Sequence, residues 1–216
     1  MIFLSLKTYP EATGDNAIKL LTIVKRVTQE TGVPIFPAAQ AVDIYRITQE
    51  LGIEVWAQHI DPIDPGRHFG WISPASVKQA GASGVVINHA EHPVSPTVIQ
   101  TTITQARKYQ LKTLVLCETS DLARQVSAWN PDFIGYEKGE LIAGPVAMID
   151  QEEANIRQLA GEISQPLIIG AGITTGEHVR KTLAAGGKGV ILASAFVKAP
   201  DPRTKLMELA APLAAG

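Results

Sequence analysis

The sequence predicts a compact (β/α)8 barrel, because strand-like runs and helical segments alternate eight times along nearly its whole length. The strand-like runs are FLSL at 3–6, PIFPA at 34–38, VWAQH at 55–59, GVVIN at 84–88, TLVLC at 113–117, FIGYE at 133–137, LIIGAG at 167–172 and GVILAS at 189–194. Their interiors are continuously apolar, which is typical of parallel strands buried on both faces. An open, doubly wound sheet is the alternative arrangement of the same elements.

Helical segments fill the intervals between these runs. The spacing of apolar residues predicts a first helix over 15–31 and a fourth over 96–109. Boundary signals are Ser73-Pro74, Ser95-Pro96 and Thr175 at helix starts, and Gly32, Gly52 and Gly81 at helix ends. These signals indicate the helix limits independently of the hydrophobic pattern.

A single domain over residues 1–216 is predicted. No low-complexity stretch, charge block or flexible linker divides the 216 residues, and the proline-rich DPIDPGRHFG at 61–70 is interpreted as a loop. Folding at this size buries roughly 70% of the extended chain's surface, which is enough for a large core.

Charge and hydropathy argue against two classes of partner. With 19 Lys and Arg against 21 Asp and Glu, the net charge of −2 gives no general attraction to nucleic acid or to an anionic membrane. No apolar run reaches the roughly 20 residues that cross a bilayer, and MIFLSLKTYP makes a poor signal peptide. The one cysteine, Cys117, is predicted to be a buried strand residue rather than a reactive thiol, and a cytoplasmic location fits a chain that cannot form an internal disulfide.

In a barrel of this kind, reactive residues lie at the C-terminal ends of the strands and in the loops that follow. Polar residues at those positions are Ser5 and Lys7 after the first strand, Gln58, His59 and Asp61 after the third, Asn88, His89 and Glu91 after the fourth, Glu118 after the fifth and Glu137 after the sixth. A lysine or histidine at one such position is usually solvated or structural. A cation, an imidazole and carboxylates on one face together indicate a reactive site.

The last two loops predict a phosphate site. GAGITTGEHV and GVILASAFVKAPD bring Gly170, Gly172, Ala193 and Ser194 to the starts of helices. Backbone amides at such positions bind phosphate without bulk positive charge, and the loops after strands seven and eight are the common phosphate site of this fold. The alternative is that these small residues only permit tight turns.

A phosphorylated ligand beside lysine, histidine and glutamate suggests proton transfer next to a carbonyl group. A carboxylate would remove a proton from carbon, an imidazole would polarise the carbonyl oxygen, and an ammonium would stabilise the resulting enediolate. This class of reaction needs no metal and no cofactor.

These motifs resemble those of the triosephosphate isomerase family in its short archaeal-type form. The likeness runs through LKTYPEATG at 6–14, AQHID at 57–61, INHAEH at 87–92, VLCE at 115–118, YEKGELIAG at 136–144, GAGITTGEHVR at 170–180 and VILASAFVKAPDP at 190–202. The resemblance implies an aldose–ketose isomerase of glycolysis and gluconeogenesis that interconverts dihydroxyacetone phosphate and D-glyceraldehyde 3-phosphate through an enediolate. It also implies a dimer or tetramer of identical chains.

Residue roles are likewise implied by the resemblance. Glu137 matches the general base, His89 the neutral electrophile, Lys7 the substrate-binding lysine and Glu91 an acidic residue that supports the site. Positions bordering the substrate or its phosphate are Ser5, Ile142, Gly144, Gly172, Ala193 and Ser194. The segment after Glu137 matches a loop that closes over the site, and within it Glu140 is expected to be solvated or to hold the loop closed.

The sequence departs from the family pattern near the site. Ser5 replaces an asparagine, Ala90 a serine, Lys138-Gly139 a proline after the base, Ala195 a glycine and Phe69 a threonine that reaches the neighbouring subunit. The first two changes predict weaker orientation of the lysine and histidine, and glycine in the loop predicts a larger entropic cost of closure. The methyl group of Ala195 predicts a narrower phosphate site or a strained positive φ.

The sequence leaves three alternative functions open. The altered residues Ser5, Ala90 and Ala195 fit an isomerase of another small ketose phosphate, such as a four-carbon one, or a phosphate-binding barrel with impaired catalysis. A metal-dependent epimerase would need His59, Asp61 and His89 as ligands. Strands two and seven end without side-chain ligands, so that set is incomplete.

Overall fold

The computed structural model of the chain is built on a closed barrel of eight parallel strands, and it describes residues 1–142, 144 and 146–214. The strands are β1 (Ile2–Ser5), β2 (Ile35–Ala39), β3 (Trp56–Ala57), β4 (Gly84–Ile87), β5 (Lys112–Cys117), β6 (Phe133–Tyr136), β7 (Leu167–Ile169) and β8 (Gly189–Leu192). Each strand pairs with the next, and β1 also pairs with β8 from Ile2 opposite Val190 to Leu4 opposite Leu192. This pairing confirms the predicted barrel and excludes the open sheet.

Helices follow every strand. In the described part of the chain they are α1 (Asp15–Thr31), α2 (Ala41–Leu51), α3 (Pro74–Gln79), α4 (Pro96–Lys108), α5 (Ser120–Ser127), α6 (Met148–Glu162), α7 (Gly176–Ala184), α8 (Ser194–Val197) and α9 (Pro202–Ala214), with 3-10 turns at Pro10–Ala12 and Gly139–Leu141. The eightfold alternation predicted one helix after β8, whereas the structure has two, α8 and α9. Not one of the described helices combines the length and the apolar character needed to cross a membrane.

Residues at the helix ends set the boundaries that the sequence indicated. The Ser95 side chain accepts a hydrogen bond from the amide of Val98 at the start of α4, and Thr175 does the same for His178 at the start of α7. Gly32 ends α1 in the left-handed conformation, with φ of 70°, where a residue bearing a Cβ would be strained.

Alternate strand residues divide the core into two layers. Ile2 and Leu4 of β1 belong to the large cluster between barrel and helices, whereas Phe3 points into the barrel. The interior cluster comprises Phe3, Ala38, Trp56, Val86, Leu114, Leu116, Ile168 and Ile191. The Phe3 ring packs edge-on against Trp56 with 5.0 Å between centroids, and Gly84 makes room because a Cβ there would lie 2.7 Å from the indole. The next inward residue of β1, Ser5, lines a pocket instead.

Candidate active site

A pocket lies at the C-terminal ends of the strands, where this fold places its active sites. Its lining includes these residues suggested from the sequence: Ser5, Lys7, His89, Glu137, Ile142, Gly144, Gly172, Ala193 and Ser194. Glu91 lines an adjoining cavity together with Lys7 and His89. The fold therefore brings the whole suggested set to one face of the barrel.

Lys7 is held at the start of the loop after β1. Its backbone is left-handed, with φ of 47°, and the side-chain amide of Gln58 donates to the Lys7 and Ala38 carbonyls at 3.0 Å each. Its ammonium group forms an ion pair with Glu91. A non-glycine residue kept in this conformation often marks a functional constraint.

The protonation state of His89 follows from its contacts. The backbone amide of Glu91 donates to Nδ1 of His89 at 3.1 Å, so Nδ1 carries no proton and the neutral ring has its proton on Nε2. Burial, and then the ammonium of Lys7, lower the pKa of His89. The preceding residue, Asn88, fixes the turn because its side chain donates to the Leu116 carbonyl at 2.8 Å and accepts from the Val94 amide at 2.9 Å. His89 is therefore a neutral imidazole with Nε2–H as its donor.

Glu137 follows β6 directly and is almost completely buried. Its residue is 4% exposed, and Oε1 has no hydrogen-bond partner among the described residues, although Nε2 of His89 lies 3.5 Å away. Burial raises the pKa of Glu137 to about 7; Lys7 opposes this shift, and the charges of Glu91 and Glu118 add to it. A desolvated carboxylate with this pKa is a stronger base than an exposed one.

Gly170 makes room for this carboxylate. A Cβ at Gly170 would lie 2.2 Å from Oε2 of Glu137 and 2.9 Å from its Cβ. Gly170 was predicted to lie in the phosphate loop, but it is absent from the described lining of the pocket and lies against Glu137 instead. Nothing local in the sequence indicates this contact, because the two residues come from different strands.

The loops after β7 and β8 form the other side of the pocket. Gly172 is left-handed, with φ of 72°, and a Cβ there would lie 2.4 Å from the Val146 carbonyl oxygen. Ala195 lies inside α8 and is not among the left-handed residues, so the positive φ considered for it does not occur. Several further lining residues were not predicted, although each lies one or two positions along the chain from a predicted one: Tyr9, Ala171, Ile173, Thr174, Ile191 and Leu192.

The segment after Glu137 forms a compact turn that we call the lid (residues 138–144, with 143 outside the described residues). The amides of Leu141 and Ile142 donate to the carbonyls of Lys138 and Gly139 at 3.0 and 3.1 Å. Ile142 lines the pocket and Glu140 is exposed to solvent. The lid thus adds an apolar side chain to the pocket that also contains Glu137 and leaves Glu140 in water.

The surroundings of the other candidate groups, Cys117, His59 and Asp61, fit structural roles. Cys117 is buried in β5, and burial raises the pKa of its thiol to about 12, so it is a poor nucleophile. His59 Nε2 lies 3.3 Å from Oδ1 of Asp61, whose Oδ2 accepts the Ile72 amide at 2.6 Å. Over the described ranges, no group of three or more His, Cys, Asp or Glu residues is placed to hold a metal ion.

Similarity to known proteins identifies the family. A family model described as triosephosphate isomerase matches residues 1–210. The chain belongs to the triosephosphate isomerase family. It is 39% identical to a triosephosphate isomerase of Methanobacterium bryantii, over 97% of this chain and 95% of that one. It is 35% identical to a triosephosphate isomerase of Methanocaldococcus jannaschii, over 97% of this chain and 98% of that one. These family members are archaeal, in agreement with the short archaeal-type form.

A solved structure of the same family supports the fold. The crystal structure of triosephosphate isomerase from Bartonella henselae superimposes with a TM-score of 0.75 and covers 95% of this chain and 96% of its own. At 21% sequence identity, this similarity is evidence of the barrel alone.

Proposed function

We propose that the chain is a triosephosphate isomerase that interconverts dihydroxyacetone phosphate and D-glyceraldehyde 3-phosphate through an enediolate. One observation carries the proposal: Oε1 of the buried Glu137 carboxylate, which has no hydrogen-bond partner among the described residues, lies 3.5 Å from Nε2 of the neutral His89 imidazole in a pocket shared with Lys7. Membership of the triosephosphate isomerase family supports the same reaction.

The proposed chemistry divides among three side chains. Glu137 removes a proton from one substrate carbon and returns it to the neighbouring carbon, while a proton passes from the substrate hydroxyl to the former carbonyl oxygen, so no atom is gained or lost. When the C–H bond breaks, its electron pair forms the enediolate double bond and negative charge collects on the carbonyl oxygen. His89 donates Nε2–H to that oxygen, and the ammonium of Lys7, oriented by Glu91, stabilises the charge. The reaction needs no cofactor.

We further propose that the opposite side of the pocket binds the phosphate. Gly172, Ala193 and Ser194 provide small side chains and backbone amides, and no charged residue is found among the described lining of these two loops. Ser5, Ile142 and Gly144 complete the enclosure. Excluding water around the enediolate strengthens each electrostatic contact and disfavours loss of phosphate.

A cytoplasmic homo-oligomer is the form we propose. Phe69 is fully exposed, and Trp71 in the same loop is more than half exposed. Large apolar side chains in this position favour a contact with a second copy of the chain, and the buried free thiol of Cys117 fits a reducing compartment. Sedimentation equilibrium should give at least twice the chain mass of 23.1 kDa.

A coupled assay tests the proposed reaction. We expect turnover of D-glyceraldehyde 3-phosphate that is insensitive to chelators and at least tenfold faster than that of a four-carbon aldose phosphate. A tenfold preference for the longer substrate would instead support the alternative isomerase. A rate no higher than that of Glu137→Gln would indicate a phosphate-binding barrel without catalysis.

A further inference from the structure

Glu118, which the proposed chemistry does not use, contacts the start of the lid. It follows β5 directly, and its Oε1 accepts a hydrogen bond from the backbone amide of Gly139 at 3.1 Å. Gly139 is two residues after Glu137 in the chain. A carboxylate from one barrel strand is thereby connected to the segment that covers the base on the next strand.

The absence of a side chain at Gly139 leaves room for the Glu118 carboxylate. A Cβ at this position would lie 2.3 Å from Oε1 of Glu118 and 3.2 Å from the Cβ of Ala90. The first distance is far below van der Waals contact, so a larger residue would displace the carboxylate. A proline would in addition remove the amide hydrogen that Glu118 accepts.

A second contact joins the lid to α6. The ammonium of Lys138 lies 2.5 Å from Oε1 of Glu152 in α6, and Asn155 donates to the other oxygen of Glu152 at 2.5 Å. Glu152 itself has non-helical backbone angles, φ −116° and ψ 17°, within the helix. Because hydrogen bonds within the lid join Lys138 to Leu141 and Gly139 to Ile142, the two outer contacts hold it as one unit.

We propose that Glu118 is a positioning residue for the isomerase reaction: by accepting the Gly139 amide hydrogen bond, it holds the lid over Glu137. The kinetic part of this inference rests on the proposed function. The contact itself does not, and it can be measured separately.

The charge of Glu118 has an effect that is separable from its hydrogen bond. The charged groups facing Glu137 are Lys7 from the loop after β1, Glu91 from the loop after β4 and Glu118 from the loop after β5, with neutral His89 between them. The negative charge of Glu118 favours protonation of Glu137 and raises its pKa. A glutamine at position 118 removes the charge and keeps an acceptor oxygen, whereas an alanine removes both.

The kinetic test compares Glu118→Gln with Glu118→Ala. In both variants we expect the acidic limb of the kcat/KM profile to move to lower pH, because the pKa of Glu137 falls. Only Glu118→Ala should also lose about tenfold in kcat/KM at the pH optimum, as expected for one hydrogen bond to a charged acceptor. Glu140→Ala, which removes an exposed carboxylate from the same lid, is the matched control and should change neither quantity more than about twofold.

The amide hydrogen exchange of Gly139, followed by NMR, tests the contact without reference to activity. We expect exchange at least about tenfold faster in Glu118→Ala than in the parent, with Glu118→Gln close to the parent. Gly139→Ala should lose kcat/KM by itself but add little to Glu118→Ala, because the displaced carboxylate is then absent.

Two results would overturn the inference. One is unchanged exchange and unchanged kinetics in Glu118→Ala. The other is an equal loss in the alanine and glutamine variants, which would assign the effect to charge alone. If the parent showed no isomerase activity, the proposed function would fail while the exchange rates would still decide whether Glu118 holds the lid.

Discussion

The two sides of the pocket differ in the chemical groups that line them, which are titratable side chains on one side and small residues with backbone amides on the other. On the base side, Lys7, His89 and Glu137 come from three strand ends; burial lowers the pKa of His89 and raises the pKa of Glu137, and nearby charges modify both shifts. On the side that we propose binds phosphate, called the phosphate side below, the described lining from the loops after β7 and β8 carries no charged side chain and is shaped by glycine and other small residues. A chain with a net charge of −2 can therefore offer an anion site that is local and made of backbone.

This difference determines how each side should respond to substitution. On the base side, a change of one or two atoms alters a charge or a proton donor while the shape is kept. On the phosphate side, an added methyl group alters the shape while the charge is kept. The first kind of change should act mainly on kcat, and the second mainly on KM.

The largest expected effect is on the base side. Glu137→Gln keeps the volume of the side chain and removes the group that accepts the proton. We expect kcat to fall by roughly 10²–10⁴-fold, the usual contribution of a general base, with KM little changed. The coupled assay measures both constants, and a kcat within tenfold of the parent would show that Glu137 is not the base.

The same variant should be more stable than the parent at alkaline pH. The pKa of Glu137 is about 7 in the folded chain against 4.5 for an unperturbed glutamate, so its stabilising contribution is complete below pH 4.5 and is lost as pH rises through 7. Glutamine avoids this loss. At pH 8 we expect the free energy of unfolding to be up to about 3 kcal/mol higher for Glu137→Gln than for the parent, and near pH 4 we expect no difference. The figure follows from the difference of about 2.5 between the two pKa values, at 1.36 kcal/mol for each pKa unit. Urea denaturation at both pH values measures it, and Glu140→Gln, which changes an exposed carboxylate in the same way, is the matched control.

An intermediate effect is expected on the phosphate side. Gly172→Ala would force a side chain into a left-handed residue and against the Val146 carbonyl. We expect KM to rise by about tenfold and the free energy of unfolding to fall by about 1–3 kcal/mol, with kcat largely kept.

Gly161→Ala is the matched control for that substitution. Gly161 lies in α6 with nothing within 4 Å of an added Cβ, so stability should stay the same or rise by up to about 1 kcal/mol. A loss of kcat in Gly172→Ala as large as that in Glu137→Gln would contradict the division between the two sides.

The smallest effect is expected where the two sides meet. Ser5 lines the pocket beside Lys7 and is 8% exposed. Ser5→Asn supplies the longer amide found in the family, and we expect kcat/KM to rise by no more than about threefold, because Gln58 and Glu91 already hold the lysine. A rise of tenfold or more would mean that serine leaves Lys7 poorly oriented.

Much of the fold could be predicted because its signals are local. The helix predicted over 15–31 is α1 without any change of limits, and most predicted strands end within one or two residues of the observed ones. The seventh is the exception, since 167–172 was predicted and β7 is Leu167–Ile169; the third was also predicted too long, at 55–59, whereas β3 covers only Trp56–Ala57. The β3 strand ends where the Gln58 side chain donates to the carbonyls of Lys7 and Ala38, and no pattern within the run indicates those partners.

The sequence by itself determined the alternation of strands and helices and the positions of Lys7, His89 and Glu137 at strand ends, because periodicity and boundary residues act over a few positions. The tertiary structure decided which residues surround these groups. Closure of β1 on β8, the space that Gly170 leaves for Glu137 and the contact between Glu118 and Gly139 all join residues that are distant in the chain. Burial and charge depend on those distances, so the raised pKa of Glu137 could not be predicted from the sequence alone.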